Sequence, residues 1–233
     1  MGTFVAACVL FLGLHLGVSS TPLRGVLVRK VGENAYRGLF ALAALGLLIW
    51  ICRGYGAAYV RADNVFLFDP PQSCRDFALP VVGVAMLLAV PGFLMANPTS
   101  SGQQGASLRG MQRITRHPFL WGVVLWAGVH LGGAGDLATT ILFATFLILA
   151  LSGTVLIDGR CRERLGADAW GRLAAQSSNI PFGAIMAGRA RFSACETFDW
   201  RFAVALVVVL GFLGAHTYLF GLSPFPNGWV PGF

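Results

Sequence analysis

Residues 118–157 read PFLWGVVLWAGVHLGGAGDLATTILFATFLILALSGTVLI, with one charged side chain, Asp136, in the whole stretch. Neither half alternates polar and apolar with the period of two that a half-buried strand or a membrane barrel needs. Each half approaches the roughly 20 mostly apolar residues that carry a helix across a bilayer. The glycines around Asp136 read as a tight turn, so the stretch is a hairpin of two membrane helices.

The same reading extends in both directions. Residues 2–23, 38–52, 77–108 and 202–233 contain no charged side chain. The chain is therefore expected to be an all-α polytopic transmembrane bundle of about six spans, near 2–20, 37–55, 77–96, 117–133, 137–157 and 202–220. A cytoplasmic basic loop should fill 158–200; Leu165, Ala169, Trp170 and Leu173 at helical spacing make its first part, 159–176, either an extension of the fifth helix or a helix lying on the membrane surface. Pro91 should kink the third span, because a mid-span proline removes a backbone hydrogen bond. Composition agrees. Hydrophobic residues make up 56% of the 233 and charged ones 12%, against about 25% charged in a soluble domain. Mean hydropathy is +0.69. These values exclude disordered, collagen-like and disulfide-scaffold chains, and also a soluble dehydrogenase or nucleic-acid binder.

Charge sets orientation. All but three of the 17 Lys and Arg lie in the segments 24–37, 109–116 and 160–201; the exceptions are Arg53, Arg61 and Arg75. Basic loops stay cytoplasmic, so both termini are expected in the periplasm, with the chain in a bacterial inner membrane. The net charge of +7 then reflects topology and contact with anionic lipid. The first span has no basic segment before it and reads as a retained helix, not a signal peptide.

Chemistry is confined to a few side chains. The apolar cores hold no Asp, Glu, Lys or Arg, which argues against proton-coupled transport and paired-carboxylate hydrolysis. The cysteines, Cys8, Cys52, Cys74, Cys161 and Cys195, form no CxxC or CxxCH motif. Cys52 and Cys74 share the outer side, where a disulfide and two unrelated thiols are both open readings. All four histidines, His15, His117, His130 and His216, fall in or at the ends of spans. His15 sits between Gly13 and Gly17, whose spacing permits close helix approach or leaves room for a flat macrocycle. His130 shares a helix face with Trp126 and Gly122. Each is either a packing histidine or a metal or heme ligand. Arg116 and His117, just before Pro118 at a helix start, suit an anionic group such as a heme propionate or phosphate, or a cytoplasmic anchor. His216 reads as an interfacial anchor beside Tyr218, Phe220, Phe225 and Trp229. His15 and His130 lie toward opposite membrane faces, offset by roughly 10 Å in straight helices. The pairings His15 with His117 and His130 with His216 therefore stay open.

Leu12-Gly13-Leu14-His15, the segment Gly32 to Leu39, Pro70-Pro71, Arg116-His117-Pro118, Leu125-Trp126-Ala127, His130-Leu131 and Gly135-Asp136-Leu137 occur in an order that resembles the NnrU family over essentially the whole chain. The resemblance implies a role in denitrification, supporting nitrite and nitric oxide reductase activity. It also implies similarity to the heme-dependent zeta-carotene cis–trans isomerases of plants. From these it implies heme b as cofactor, His15 and His130 as axial ligands and His117 as a third functional histidine. A ligand-switching cysteine of those enzymes corresponds to Ala127 here. A fainter resemblance, carried by Arg116-His117-Pro118, Leu165 to Trp170 and Ile180-Pro181-Phe182, is to isoprenylcysteine methyltransferase-type membrane enzymes, without their acidic pair.

The expected protein thus binds heme b through His15 and His130, with Arg116 and His117 at the propionates or supplying a proton. Gly13, Gly17 and Gly122 would leave space for the macrocycle or an isoprenoid. Redox-gated isomerisation of an apolar carotenoid or other polyene entering from membrane lipid is one expected activity. The alternatives are a non-enzymatic heme or redox accessory factor partnering denitrification reductases, and a methyltransferase-like enzyme.

Overall fold

The computed structural model describes residues 1–100, 103, 106–221 and 223–225. Helices dominate, with no β-strand among the described residues. Helix α1 (Gly2–Leu12) widens into a π-helical segment, Gly13–Val18, whose wider turn shows in the Ser19 N–H donating to Leu14 at 3.1 Å. Thr21 caps α2 (Pro22–Val31), its hydroxyl accepting from Leu23, with Pro22 in the first turn. The chain bends by 82° between these pieces. Gly32, at φ 84°, then turns it into α3 (Glu33–Tyr59). Helices α4 (Gln72–Leu94), α5 (Met111–Ile114), α6 (Pro118–Gly133) and α7 (Leu137–Ala175) follow. Short α8 (Gly183–Met186) and α9 (Ala194–Thr197) precede α10 (Trp200–Phe220).

Helices α1, α3 and α7 pack against one another, and α6, α4 and α10 continue from α7 in a row. Helix α1 lies against α3 and α7, α7 against α6, α6 against α4, and α4 against α10. Phe4, Ala7, Cys8, Phe11, Ile51, Ala58 and Ala138 form the core shared by α1, α3 and α7. A second core, Leu88, Met95, Met111 and Ile114, ties α4 to α5. Leu42, Ile49, Val207 and Leu210 are among many large apolar side chains left exposed along the long helices. In water such a surface would aggregate; in lipid it is solvated.

The all-α membrane bundle is therefore present, but six spans are not all of one kind. Four helices, α3, α4, α7 and α10, are long and apolar enough to cross a membrane, and the bent pair 2–18 and 22–31 passes the same test only when taken together, as a broken span or a re-entrant loop. Helix α6 has 16 residues, about 24 Å at 1.5 Å per residue, short of a hydrocarbon core of about 30 Å. Helix α7, expected to end near 157, runs on to Ala175, with a non-helical Gly166 (φ 77°, ψ 167°) inside it. Much of the basic loop is thus a helical extension. Pro91 lies in the last turn of α4, buried against its neighbours, and not at mid-span as expected.

Backbone contacts sort the loops to two ends. At one, Leu67 N–H donates to Gly135 at 2.8 Å and Leu137 N–H to Val65 at 3.0 Å. At the other, Arg160 donates to the Ser19 carbonyl at 2.7 Å and Asn97 to that of Arg116 at 2.9 Å. Phe182 N–H reaches Ile114 there at 2.7 Å. The three basic segments therefore gather at one end of the bundle, as the charge count requires.

Candidate functional site

His15 and His130 are held by the same local device. The Nδ1 of His15 lies 2.8 Å from the carbonyl of Phe11, and that of His130 lies 2.8 Å from the carbonyl of Trp126, each four residues back on its own helix. A carbonyl can only accept, so Nδ1 carries the proton and a neutral ring keeps its lone pair on Nε2. Fixing the tautomer from the far side of the ring is how proteins orient imidazole ligands. Aromatic rings hold the planes. His15 sits 4.4 Å from Phe11 and 5.2 Å from Phe40. His130 stacks on Phe143 at 4.5 Å and 22°.

A path of rings joins the two histidines across three helices. Phe11 meets Phe146 at 5.9 Å, Phe146 meets Trp126 at 5.6 Å, and Trp126 meets His130 at 5.6 Å. The imidazoles are thus linked through α1, α7 and α6 without being in contact. His216 packs on Phe220 at 4.9 Å, on α10, the helix that lies against α4. Trp229, expected beside His216, lies outside the described residues. The thiols of Cys52 and Cys74 are free, and Cys74 Sγ packs where a Cβ on Gly132 would stand, 3.2 Å away.

The donor chemistry fits heme. Imidazole nitrogen is a common axial ligand for its iron. Among the described residues no group of three or more His, Cys, Asp and Glu could hold a bare metal ion. Gly13 and Gly17 are exposed, with no atom within 4 Å of an added Cβ, but two residues from His15 they face away from its imidazole, which corrects the expectation that they make room at that ring. Gly122 corrects the expectation of free space on α6. A Cβ there would stand 2.5 Å from the Ala85 carbonyl oxygen and 2.6 Å from Ala89, so this glycine is used by the α4–α6 contact.

Arg116 and His117 are brought together with a residue that sequence reasoning missed, Asp158 near the basic end of α7. Arg116 reaches the Asp158 carboxylate through Nε at 2.9 and 3.0 Å and Nη2 at 2.8 Å. His117 Nε2 meets the same carboxylate at 2.7 Å, and since a carboxylate accepts, that nitrogen carries a proton. Arg116 also donates to Ser177 at 3.1 Å and lies 5.1 Å from the Trp170 ring centre. His117 is buried, 3% exposed. Any propionate here would share Arg116 with Asp158. The clue was available: Asp158 is the first acid after an apolar run that starts at 137, and it lies on α7, the helix packed against the one that His117 begins.

The NnrU protein family matches residues 3–224. The chloroplastic 15-cis-zeta-carotene isomerase of Arabidopsis thaliana is 28% identical over 191 residues, which cover 77% of this chain and 49% of that protein. The chain thus spans about half the length of this curated relative. No solved structure matches. With nearly every residue inside the family match, and the helical membrane bundle described above, this chain belongs to the NnrU family.

Proposed function

We propose that this multi-pass membrane protein is a cis–trans isomerase of an apolar polyene, of the carotenoid class, that holds one heme b through His15 and His130 in a bacterial inner membrane. The observation that carries the reading is the shared tautomer device: two imidazoles within apolar helices, each with Nδ1 on a carbonyl and Nε2 left as a lone pair. The relative named as an isomerase of 15-cis-zeta-carotene supplies the substrate class.

Bound heme would supply an iron whose reduction lets it interact with one double bond of the polyene, lowering its bond order without net redox. The protein's own part is placement. Phe11, Phe40, Phe146 and Trp126 provide apolar walls. The Arg116–His117–Asp158 group closes the basic end and keeps a proton on His117 Nε2.

One observation favours a second reading. Ala127, at the position of a switching cysteine, is fully buried at 0% exposure and offers no thiolate. A site that keeps both imidazoles in both redox states suits a redox accessory factor for nitrite and nitric oxide reductases.

The test is chromatography of a 15-cis polyene incubated with purified protein, oxidised and reduced. The isomerase reading expects conversion only after reduction, together with carbon monoxide binding to the reduced protein. No conversion and no carbon monoxide binding by a heme-loaded protein would overturn it in favour of the accessory factor.

A further inference from the structure

A cleft of about 720 Å³ opens at the basic end of the bundle, between the end of α7, Pro98 with Ala106 to Leu108, and the turn 188–191. Four guanidinium groups line it, Arg113, Arg172, Arg189 and Arg191, and no described Asp or Glu does. Two of the four are fixed by partners. Arg113 pairs with Glu196 through two contacts, at 2.7 and 2.9 Å. Arg189 donates to the carbonyls of Ala174, Ala175 and Ser177 at 2.8, 3.1 and 3.0 Å, which caps the negative end of α7.

Arg172 and Arg191 differ. Both are exposed, and neither makes a hydrogen bond or ion pair with another described residue. The bias of basic residues toward one membrane face explains why arginines occur at this end. It does not explain four of them around a single concavity, since dispersed charges would orient the chain equally well. Leu165 and Leu173 line the cleft as well, so it offers an apolar surface next to unneutralised charge. Guanidinium groups bind phosphate oxygens in paired, planar geometry.

We propose that this cleft binds a phosphate-bearing ligand, with Arg172 and Arg191 as the direct phosphate donors. The inference is independent of heme and of isomerase activity. The phosphate can come from an anionic phospholipid headgroup or from a soluble phosphate ester.

The test uses the full chain, in detergent with added pyrophosphate and in nanodiscs of phosphatidylglycerol or phosphatidylcholine. Pyrophosphate binding that saturates, or retention of phosphatidylglycerol over phosphatidylcholine by native mass spectrometry, is the expected result. The first outcome identifies a soluble source and the second a headgroup. Arg172→Gln with Arg191→Gln should weaken the binding at least tenfold. Arg29→Gln with Lys30→Gln, equal in charge removed and outside the cleft, should leave it within twofold. Pyrophosphate or phosphatidylglycerol should also protect Arg172 and Arg191 of the unmodified protein from phenylglyoxal, read by peptide mass spectrometry. Equal losses in the two double variants, no saturable binding in either arm, or no protection would overturn the proposal.

Discussion

Asp158 serves two basic side chains with one carboxylate, at 16% side-chain exposure against 10% for Arg116 and 2% for His117. Removing its charge leaves a guanidinium and a protonated ring nitrogen poorly satisfied in a partly dry site. Asp158→Asn is therefore expected to cost about 3 kcal/mol, the scale for breaking a buried pair, read as a lowered unfolding midpoint in detergent. Glu196→Gln is expected to cost under about 1 kcal/mol, because that pair is half-exposed and screened. Equal costs would contradict this ranking. Glu196 has its own pH signature. Its carboxyl falls from an ordinary 4.5 to about 2, first through Arg113 and then through the Gly110 N–H. A depressed folded value means the contribution is full above about 4.5 and lost as pH falls toward 2. The gap in midpoint between wild type and Glu196→Gln should narrow over that window; a gap that widens on acidification would contradict the assignment. At this scale the sequence displayed His15, His117, His130 and Arg116 plainly. It did not display their partners, because Asp158 lies 41 residues from His117 and no local spacing encodes such a contact.

Glycine separates the helix contacts. A methyl group at Gly122 would collide with the Ala85 carbonyl and Ala89, whereas one at Gly13 would meet nothing within 4 Å. Gly122→Ala should destabilise by about 1–3 kcal/mol, the usual cost of overpacking. Gly13→Ala should be neutral or slightly stabilising, since alanine is the better helix former. Thermal unfolding of the two variants checks this, and a destabilised Gly13→Ala beside an unaffected Gly122→Ala would reverse the packing assigned to α6. Hydropathy revealed that these helices exist and roughly where the long ones begin. The short span near 117–133 was legible as well, and so was the helical spacing from Leu165 to Leu173; the break at Gly166 inside that segment was not, because a positive φ leaves no mark on hydropathy. Gly13 and Gly122 look alike in sequence; only the neighbour across the contact distinguishes them.

The whole molecule has two chemically different ends. Arginine-rich segments and their cross-links gather at one, and the 64–67 and 135–138 contacts at the other. Cys195 is exposed among the basic segments. In intact cells a membrane-impermeant maleimide should leave it unmodified and should label it after permeabilisation; Asp69→Cys, at the opposite end, should react in intact cells. The reverse pattern would invert the orientation. Charge distribution made this polarity legible before any coordinates, because it is a sum over loops and tolerates errors in helix ends. The packing, with α1, α3 and α7 together and α6, α4 and α10 following, was not legible, since lipid-facing and partner-facing residues are equally apolar.

The ring path from His15 to His130 gives this arrangement its central claim, that both imidazoles ligate one heme b. The direct measurement is the oxidised and reduced absorption spectrum of the purified protein with a pyridine hemochromogen assay, on wild type and on His15→Ala, His130→Ala and His216→Ala. The account predicts a b-type spectrum near one heme per chain, lost in the first two variants at unchanged helicity and kept in the third. No Soret band after expression with added heme precursor, or a full spectrum in both His15→Ala and His130→Ala, would contradict it.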